Sequence, residues 1–152
     1  LIIDGSIEEN IVLPLLPKLS HFTYISPKKE AASANKEIET FRIKCANGKQ
    51  WVSTLSGGNK QKVSFAKWTA NNSDVLIMDC PTRGVDIGVK QSMYALISKM
   101  KKDGKAILLI SEEISELIGM SDKIIIMKDF KKSGEVMRVP NLMETDIIEY
   151  VI

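Results

Sequence analysis

Histidine occurs once and cysteine twice in these 152 residues. With so few soft ligands, and none at metal-binding spacing, neither a structural zinc site nor a disulfide framework is indicated. Such sparing use of cysteine fits a reducing, cytosolic setting. Long apolar runs are missing too. Ala106–Ile110 and Ile124–Met127 fall far short of the roughly 20 residues that a spanning helix needs. There is no secretory signal pattern. Charge is nearly balanced, with 21 Lys and Arg against 19 Asp and Glu, a net +2. The cations are scattered, so no nucleic-acid partner is expected. The phosphate-cradling pattern Gly-x-x-x-x-Gly-Lys-Ser/Thr is also absent. Gly48-Lys49 and Gly104-Lys105 each lack the upstream glycine and the following hydroxyl.

The residues present are ordinary for one globular domain. The chain is 44% hydrophobic, enough for a real core. It opens on Leu-Ile-Ile-Asp with no initiator Met, which reads as a piece of a longer chain.

Residues 1–50 read as mostly helical and 51–152 as alternating strands and helices. Ser6-Ile-Glu-Glu9 fits a capping box, and Pro14 and Pro17 break the helix that it starts. Ser26-Pro27 opens a helix expected to reach about Cys45, with Asn47-Gly48 as its end. Asn59–Ala70 is a second long helix. Val75–Met78 and Ala106–Ile110 are short and wholly apolar, the pattern of strands buried on both faces. Between them, Gly88–Lys102 places Val89, Met93, Leu96 and Met100 on one helical face, and Asp103-Gly104 closes it. Glu113–Gly119 is a short helix and Lys123–Met127 a third strand. A turn over Asp129–Gly134 leads into a hairpin strand at Glu135–Val139, and Glu144–Val151 is a closing helix. This alternation implies an α/β fold with a mostly parallel sheet.

Two stretches carry chemistry. Leu55-Ser56-Gly57-Gly58 precedes a helix. Free N–H groups and a partial positive charge at a helix N-terminus bind anions, and glycines let a phosphate approach closely. Ser56 adds a hydroxyl, and Lys60 or Gln61 could reach the same anion. The bland alternative is a plain capped helix. The apolar strand Val75–Met78 ends in Asp79. A carboxylate fixed at the C-terminal edge of a sheet can hold Mg²⁺ through water. Its bland alternative is a turn or helix cap.

In this order and spacing, with Pro81–Asp86 and Ile110-Ser111-Glu112 downstream, the chain resembles the nucleotide-binding domain of ATP-binding cassette (ABC) transporters. Leu55–Gln61 is similar to that family's signature motif, Val75–Asp79 to its Walker B strand, and Pro81–Asp86 to the stretch through its D-loop. Leu-Ser-Gly-Gly-Asn-Lys-Gln, Pro-Thr-Arg-Gly-Val-Asp-Ile-Gly and Ser-Glu-Leu-Ile-Gly-Met-Ser-Asp resemble most the second cassette of simple-sugar importer subunits. The resemblance implies a P-loop NTPase-like partial domain. Residues 1–50 would come after the Q-loop and form the helical subdomain, and 51–152 would be the back half of the ATPase core. It implies ATP and Mg²⁺ as cofactors. Ser56, Gly57, Gly58, Gln61 and Asp86 would lie toward nucleotide, with Asp79 toward the metal. It also implies a facing cassette, permease subunits and, indirectly, a sugar-binding protein as partners, at the cytoplasmic face of a bacterial membrane.

Two positions depart from the family pattern. Cys80 stands where a Glu usually positions the attacking water, and Glu112 where a switch His is usual. A thiol with an ordinary pKa of about 8.5 is mostly neutral at pH 7 and cannot replace a carboxylate base. Cys80 is expected as a small buried hydrophobe. These losses imply a degenerate local site, with the signature serving the facing cassette in trans. The other readings are a regulatory half that binds without turnover, and a cassette that works without a membrane. Bland roles fit the remaining residues. His21 and the lysines Lys99, Lys101 and Lys102 belong at the surface. Trp51 could pack on the helical subdomain, Trp68 in a core or interface. Met78, Met93, Met100, Met120 and Met127 read as core or near-core filler and not as a ligand set.

Overall fold

A computed structural model describes residues 1–21 and 24–150, and of His21 only the backbone. The expectation of a surface His21 side chain therefore lies outside the described residues, whereas the last helix, expected to run to Val151, stops at Ile148 and gives way to a turn at Glu149 and Tyr150. The helices are α1 (Ile7–Val12), α2 (Leu16–Leu19), α3 (Pro27–Thr40), α4 (Gly57–Thr69), α5 (Ile87–Lys102), α6 (Ile114–Met120) and α7 (Glu144–Ile148). The strands are β1 (Ser20–His21), β2 (Tyr24–Ile25), β3 (Val75–Asp79), β4 (Ala106–Ile110), β5 (Lys123–Lys128) and β6 (Lys131–Met137). The chain forms two units: Leu1–Leu76 with Thr82–Ala106, and Ile77–Pro81 with Ile107–Ile152.

The first unit is organised around α1. Its capping box forms as the sequence indicates: Ser6 Oγ accepts from Glu9 N at 3.1 Å, and Ser6 N donates to Glu9 Oε2 at 2.7 Å. Ile7 and Ile11 are fully buried, with Val52, Val63, Ala34 and Met93 in the same unit's core. Asn10 is also fully buried, and its amide is well used. Nδ2 donates to the carbonyls of Ile2 and Ser6, and Oδ1 accepts from Ile2 N. Satisfying a buried amide this fully avoids the penalty for stranding it. Residues 3–8 run beside 48–53 through four backbone bonds: Ile7 N to Gln50 O, Glu8 N to Gly48 O, Val52 N to Gly5 O and Ser53 N to Ile3 O. The half-exposed Trp51 bridges Ser6 through its backbone.

The long helix α3 stops five residues before the expected Cys45. Phe41 turns into the core and Arg42 adopts the left-handed region at φ +47°. Arg42 N donates to Glu39 O, and Ile43 N to Ile38 O. This is a Schellman ending with Ile38 and Ile43 as the apolar pair. Arginine holds the position where glycine is usual, so the signal was invisible. Asn47-Gly48 instead forms a separate turn, with Asn47 Oδ1 accepting from Lys49 N. The same ending recurs after α5, where Gly104 at φ +85° donates to Lys101 O and Lys105 N to Met100 O. There the glycine was legible. On α5 the fully covered side chains are Met93 and Ile97; Met100 is half-buried, and Lys99, Lys101 and Lys102 lie at the surface.

Strands β3 and β4 pair and run the same way, since Ala106 N bonds Asp74 O at one end and Cys80 N bonds Ile110 O at the other. The expected burial on both faces is corrected. Leu76 and Met78 are buried, while Val75 and Ile77 are 62% and 70% exposed. Leu108 and Ile110 on β4 are also about half exposed. Among the described residues, only one face of this pair is covered.

In the second unit, Ile124, Ile126 and Ile147 form the core, with Leu117, Ile118, Val136 and Leu142 packed on it. Hairpin β5–β6 is antiparallel, as expected, but its turn is only two residues, Asp129 and Phe130 at φ +49° and +61°. Such turns favour Asn-Gly, so Asp-Phe concealed it and the wider Asp129–Gly134 turn is corrected. A bulge between Ile126 and Met127 leaves Ser133 unpaired in the ladder, and its hydroxyl donates to Ile126 O. A Cβ on Gly134 would run into the Tyr150 ring. Met127 is 61% exposed, not core.

Two outcomes are expected. Arg42→Gly removes a left-handed side chain and one cation from beside Lys62, whose pKa is lowered by burial and then by Lys44 and Arg42. The urea midpoint should rise by the equivalent of roughly 0.5–1 kcal/mol. Glu135 is bonded to Lys123 at 2.5 Å and to Lys132, and both hold its carboxyl below the ordinary 4.5. A depressed carboxyl adds stability that is present above the ordinary value and lost as pH falls through the folded one. Unfolding measured from pH 6 to pH 3 should show a shallower acid limb in Glu135→Gln.

Candidate functional site

In the first unit the Ser-Gly-Gly stretch opens α4. Leu55 is buried and anchors the turn, while Ser56 and Gly57 are exposed. Ser56 has the extended backbone of a cap, yet its side chain makes no capping bond. Its Oγ instead accepts from Asn59 Nδ2 at 3.0 Å. A hydroxyl that accepts keeps its own proton to donate. The bland reading, serine as side-chain cap, is therefore not what the hydroxyl does.

The two glycines separate. A Cβ on Gly58 would sit 2.7 Å from Val89 Cγ2 of α5, closer than real carbons come. A side chain at 58 would thus force Val89 to shift. A Cβ on Gly57 would meet nothing within 4 Å, and the backbone there is ordinary helix. Among the described residues, neither packing nor conformation explains a glycine at 57. Open space beside a helix N-terminus is what an approaching anion would need.

Asp86 caps α5: its Oδ1 accepts from Val89 N at 2.9 Å. Val89 therefore touches Gly58 through its side chain and Asp86 through its backbone. Asp86 and the Ser56–Gly58 turn are thus brought to the same residue. Gln61 lies one turn further along α4, half-buried.

In the second unit, Asp79 is exposed at the end of β3, and Cys80 comes next at φ +42°. Cys80 N donates to Ile110 O at 2.9 Å, so Ser111 and the exposed Glu112 emerge at the same sheet edge. Thus Asp79, Cys80 and Glu112 share that edge. Cys80 is half-buried rather than fully buried, which corrects the small-hydrophobe expectation. No group of three or more His, Cys, Asp or Glu gathers to hold a metal among the described residues. An exposed carboxylate outside any such group fits a cation that keeps most of its water, as Mg²⁺ does, and not a fully caged ion.

Sequence reasoning missed Asn59 and Val89 as members of the site. Val89 was read only as a core position, and nothing in a valine announces a neighbouring glycine. Asn59 was read only within a motif, although its place three residues after Ser56 is a capping-box position. Trp68, expected in a core or interface, is 58% exposed and not core, with Lys67 Nζ 5.1 Å from its ring centre.

Comparison with known proteins agrees on one family. A family model described as ABC transporter matches residues 3–83. The galactose/methyl galactoside import ATP-binding protein of Treponema pallidum (strain Nichols) is 40% identical over 132 residues, 87% of this chain and 27% of that protein. The ribose import ATP-binding protein of Bacillus subtilis (strain 168) is 43% identical over 136 residues, 90% of this chain and 28% of that protein. The chain thus spans just over a quarter of the length of the curated relatives it matches. A dimeric ATP-binding cassette solved in a post-hydrolysis state with ADP and Pi aligns over 90% of this chain and 58% of its own, at 25% identity and a TM-score of 0.76. The α/β, P-loop NTPase-like partial domain read from the sequence is the fold observed.

The split between the glycines is measurable. Gly58→Ala should lower stability by roughly 1–3 kcal/mol through overpacking, and Val89→Ala should relieve most of it in the double variant. Gly57→Ala should raise stability by roughly 0.5–1 kcal/mol, as it removes a helical glycine from open space. Denaturant unfolding of the four variants decides both.

Proposed function

The chain belongs to the ABC transporter family, and from that premise we propose that it is the back part of the second cassette in the ATP-binding subunit of a simple-sugar importer. Residues 1–50 are its helical subdomain region, which meets the membrane-spanning permease subunits. Residues 51–152 are the back half of the ATPase core. The whole works at the cytoplasmic face of the membrane, with a sugar-binding protein upstream of the permease. No helix among the described residues is long and apolar enough to cross a membrane itself.

The observation that carries the proposal is Gly57, a glycine that nothing among the described residues requires, beside a serine hydroxyl with a proton to give. In this reading α4 presents Ser56, Gly57 and Gly58 to the γ-phosphate of ATP held by the facing cassette. Hydrolysis there is attack of a water oxygen on the γ-phosphorus with departure of the β–γ bridging oxygen to ADP. Ser56 donates to a γ-phosphate oxygen and the α4 N–H groups face the developing charge, in the manner of preorganised anion donors. Asp79 would hold Mg²⁺ through water at this cassette's own edge, where the ion would offset phosphate charge, and Asp86 would connect the two sites.

The local site reads as degenerate, and two residues favour that. Cys80 offers no base beside Asp79. Glu112 emerges at the same edge, and its charge opposes a γ-phosphate. In this second reading the local half binds or supports ATP without turning it over, which is compatible with the signature acting in trans.

Ser56→Arg in the full-length polypeptide should cut ATP turnover by about 100-fold or more, the scale of losing an anion-site donor. Replacing the phosphate-loop Lys of this cassette itself should leave most turnover intact. The opposite pattern refutes the trans assignment. The 152-residue chain alone should show no turnover in the same phosphate-release assay.

A further inference from the structure

The chain contains two serine-led boxes of the same length, and they are wired differently. In Ser6-Ile-Glu-Glu9 the serine oxygen accepts from the backbone N–H three residues on, and the glutamate reaches back to the serine N–H. In Ser56-Gly-Gly-Asn59 neither of these bonds is made. The Asn59 side chain instead donates its Nδ2 to Ser56 Oγ at 3.0 Å, and its Oδ1 accepts from Lys44 N at 2.9 Å. One amide therefore ties the signature hydroxyl to the segment just beyond α3.

We infer that Asn59 is a positioning residue for the reaction: it withdraws Ser56 from capping α4 and leaves the serine proton directed at the nucleotide. This inference rests on the proposed trans role of the signature. The chemistry is specific. An amide N–H can only donate, so the serine must accept and its proton stays available. A carboxylate at 59 can only accept. It would keep the bond to Lys44 N but would capture the Ser56 proton. A negative charge in the first turn also suits the helix dipole, so the fold should not suffer.

Asn59→Asp in the full-length polypeptide should therefore lower kcat for ATP about tenfold, with KM within a factor of about two and an unchanged or higher Tm. Asn59→Gln, which keeps both donor and acceptor, should recover most of the loss. In a Ser56→Ala background, Asn59→Asp should have no further effect on turnover. If Asn59→Asp loses stability, Asn59→Ala carries the same cycle with Ser56→Ala. A full effect that persists without the serine hydroxyl is repulsion or misfolding and overturns the inference. So does unchanged kcat in Asn59→Asp when Ser56→Arg abolishes turnover, which would leave the trans reading standing. Unchanged turnover in Ser56→Arg would instead remove the trans reading itself.

Discussion

The close approach of Gly58 to Val89 is the constraint on which the site depends. It sets the first turn of α4 against the first turn of α5, with no room for a single added carbon. Val89 is held in turn by Asp86, whose carboxylate accepts its N–H. Two stretches separated by some thirty residues in sequence therefore meet at Val89.

Behind that contact stands α1. Its isoleucines fill the core of the first unit, its capping box fixes its start, and Asn10 secures the preceding segment. The four backbone bonds between residues 3–8 and 48–53 bring the chain to Leu55 on a fixed path. Glu8, nearly buried, pairs with Lys49 at 2.7 Å in the same stretch and raises the lysine pKa. The exposed turn at Ser56 and Gly57 is thus delivered by a buried foundation. This is how a loop can carry precise chemistry on a rigid scaffold.

The features legible in advance came from residues whose chemistry is local. Ser6 and Glu9 announced their box, and Gly104 its helix ending. The strand ends at Asp79 and Ile110 came from apolar runs of the right length. The features that stayed hidden depended on context. Arg42 and Asp129-Phe130 take left-handed conformations that glycine or asparagine would have advertised. Strand burial on both faces is a property of neighbours and not of β3 itself. At the site, both glycines looked alike in sequence. Among the described residues, the structure gives Gly58 a packing reason and Gly57 none.

The most direct measurement places a thiol at the unexplained glycine. Full-length protein carrying Gly57→Cys, with Cys45 and Cys80 replaced by serine, would be treated with an ATP analogue bearing a thiol-reactive group on its γ-phosphate. Residue 57 is expected to be labelled. Labelling should vanish when the phosphate-loop Lys of the facing cassette is replaced and persist when that of its own cassette is replaced. The absence of labelling, or labelling that depends on its own cassette, would contradict a signature aimed across the dimer.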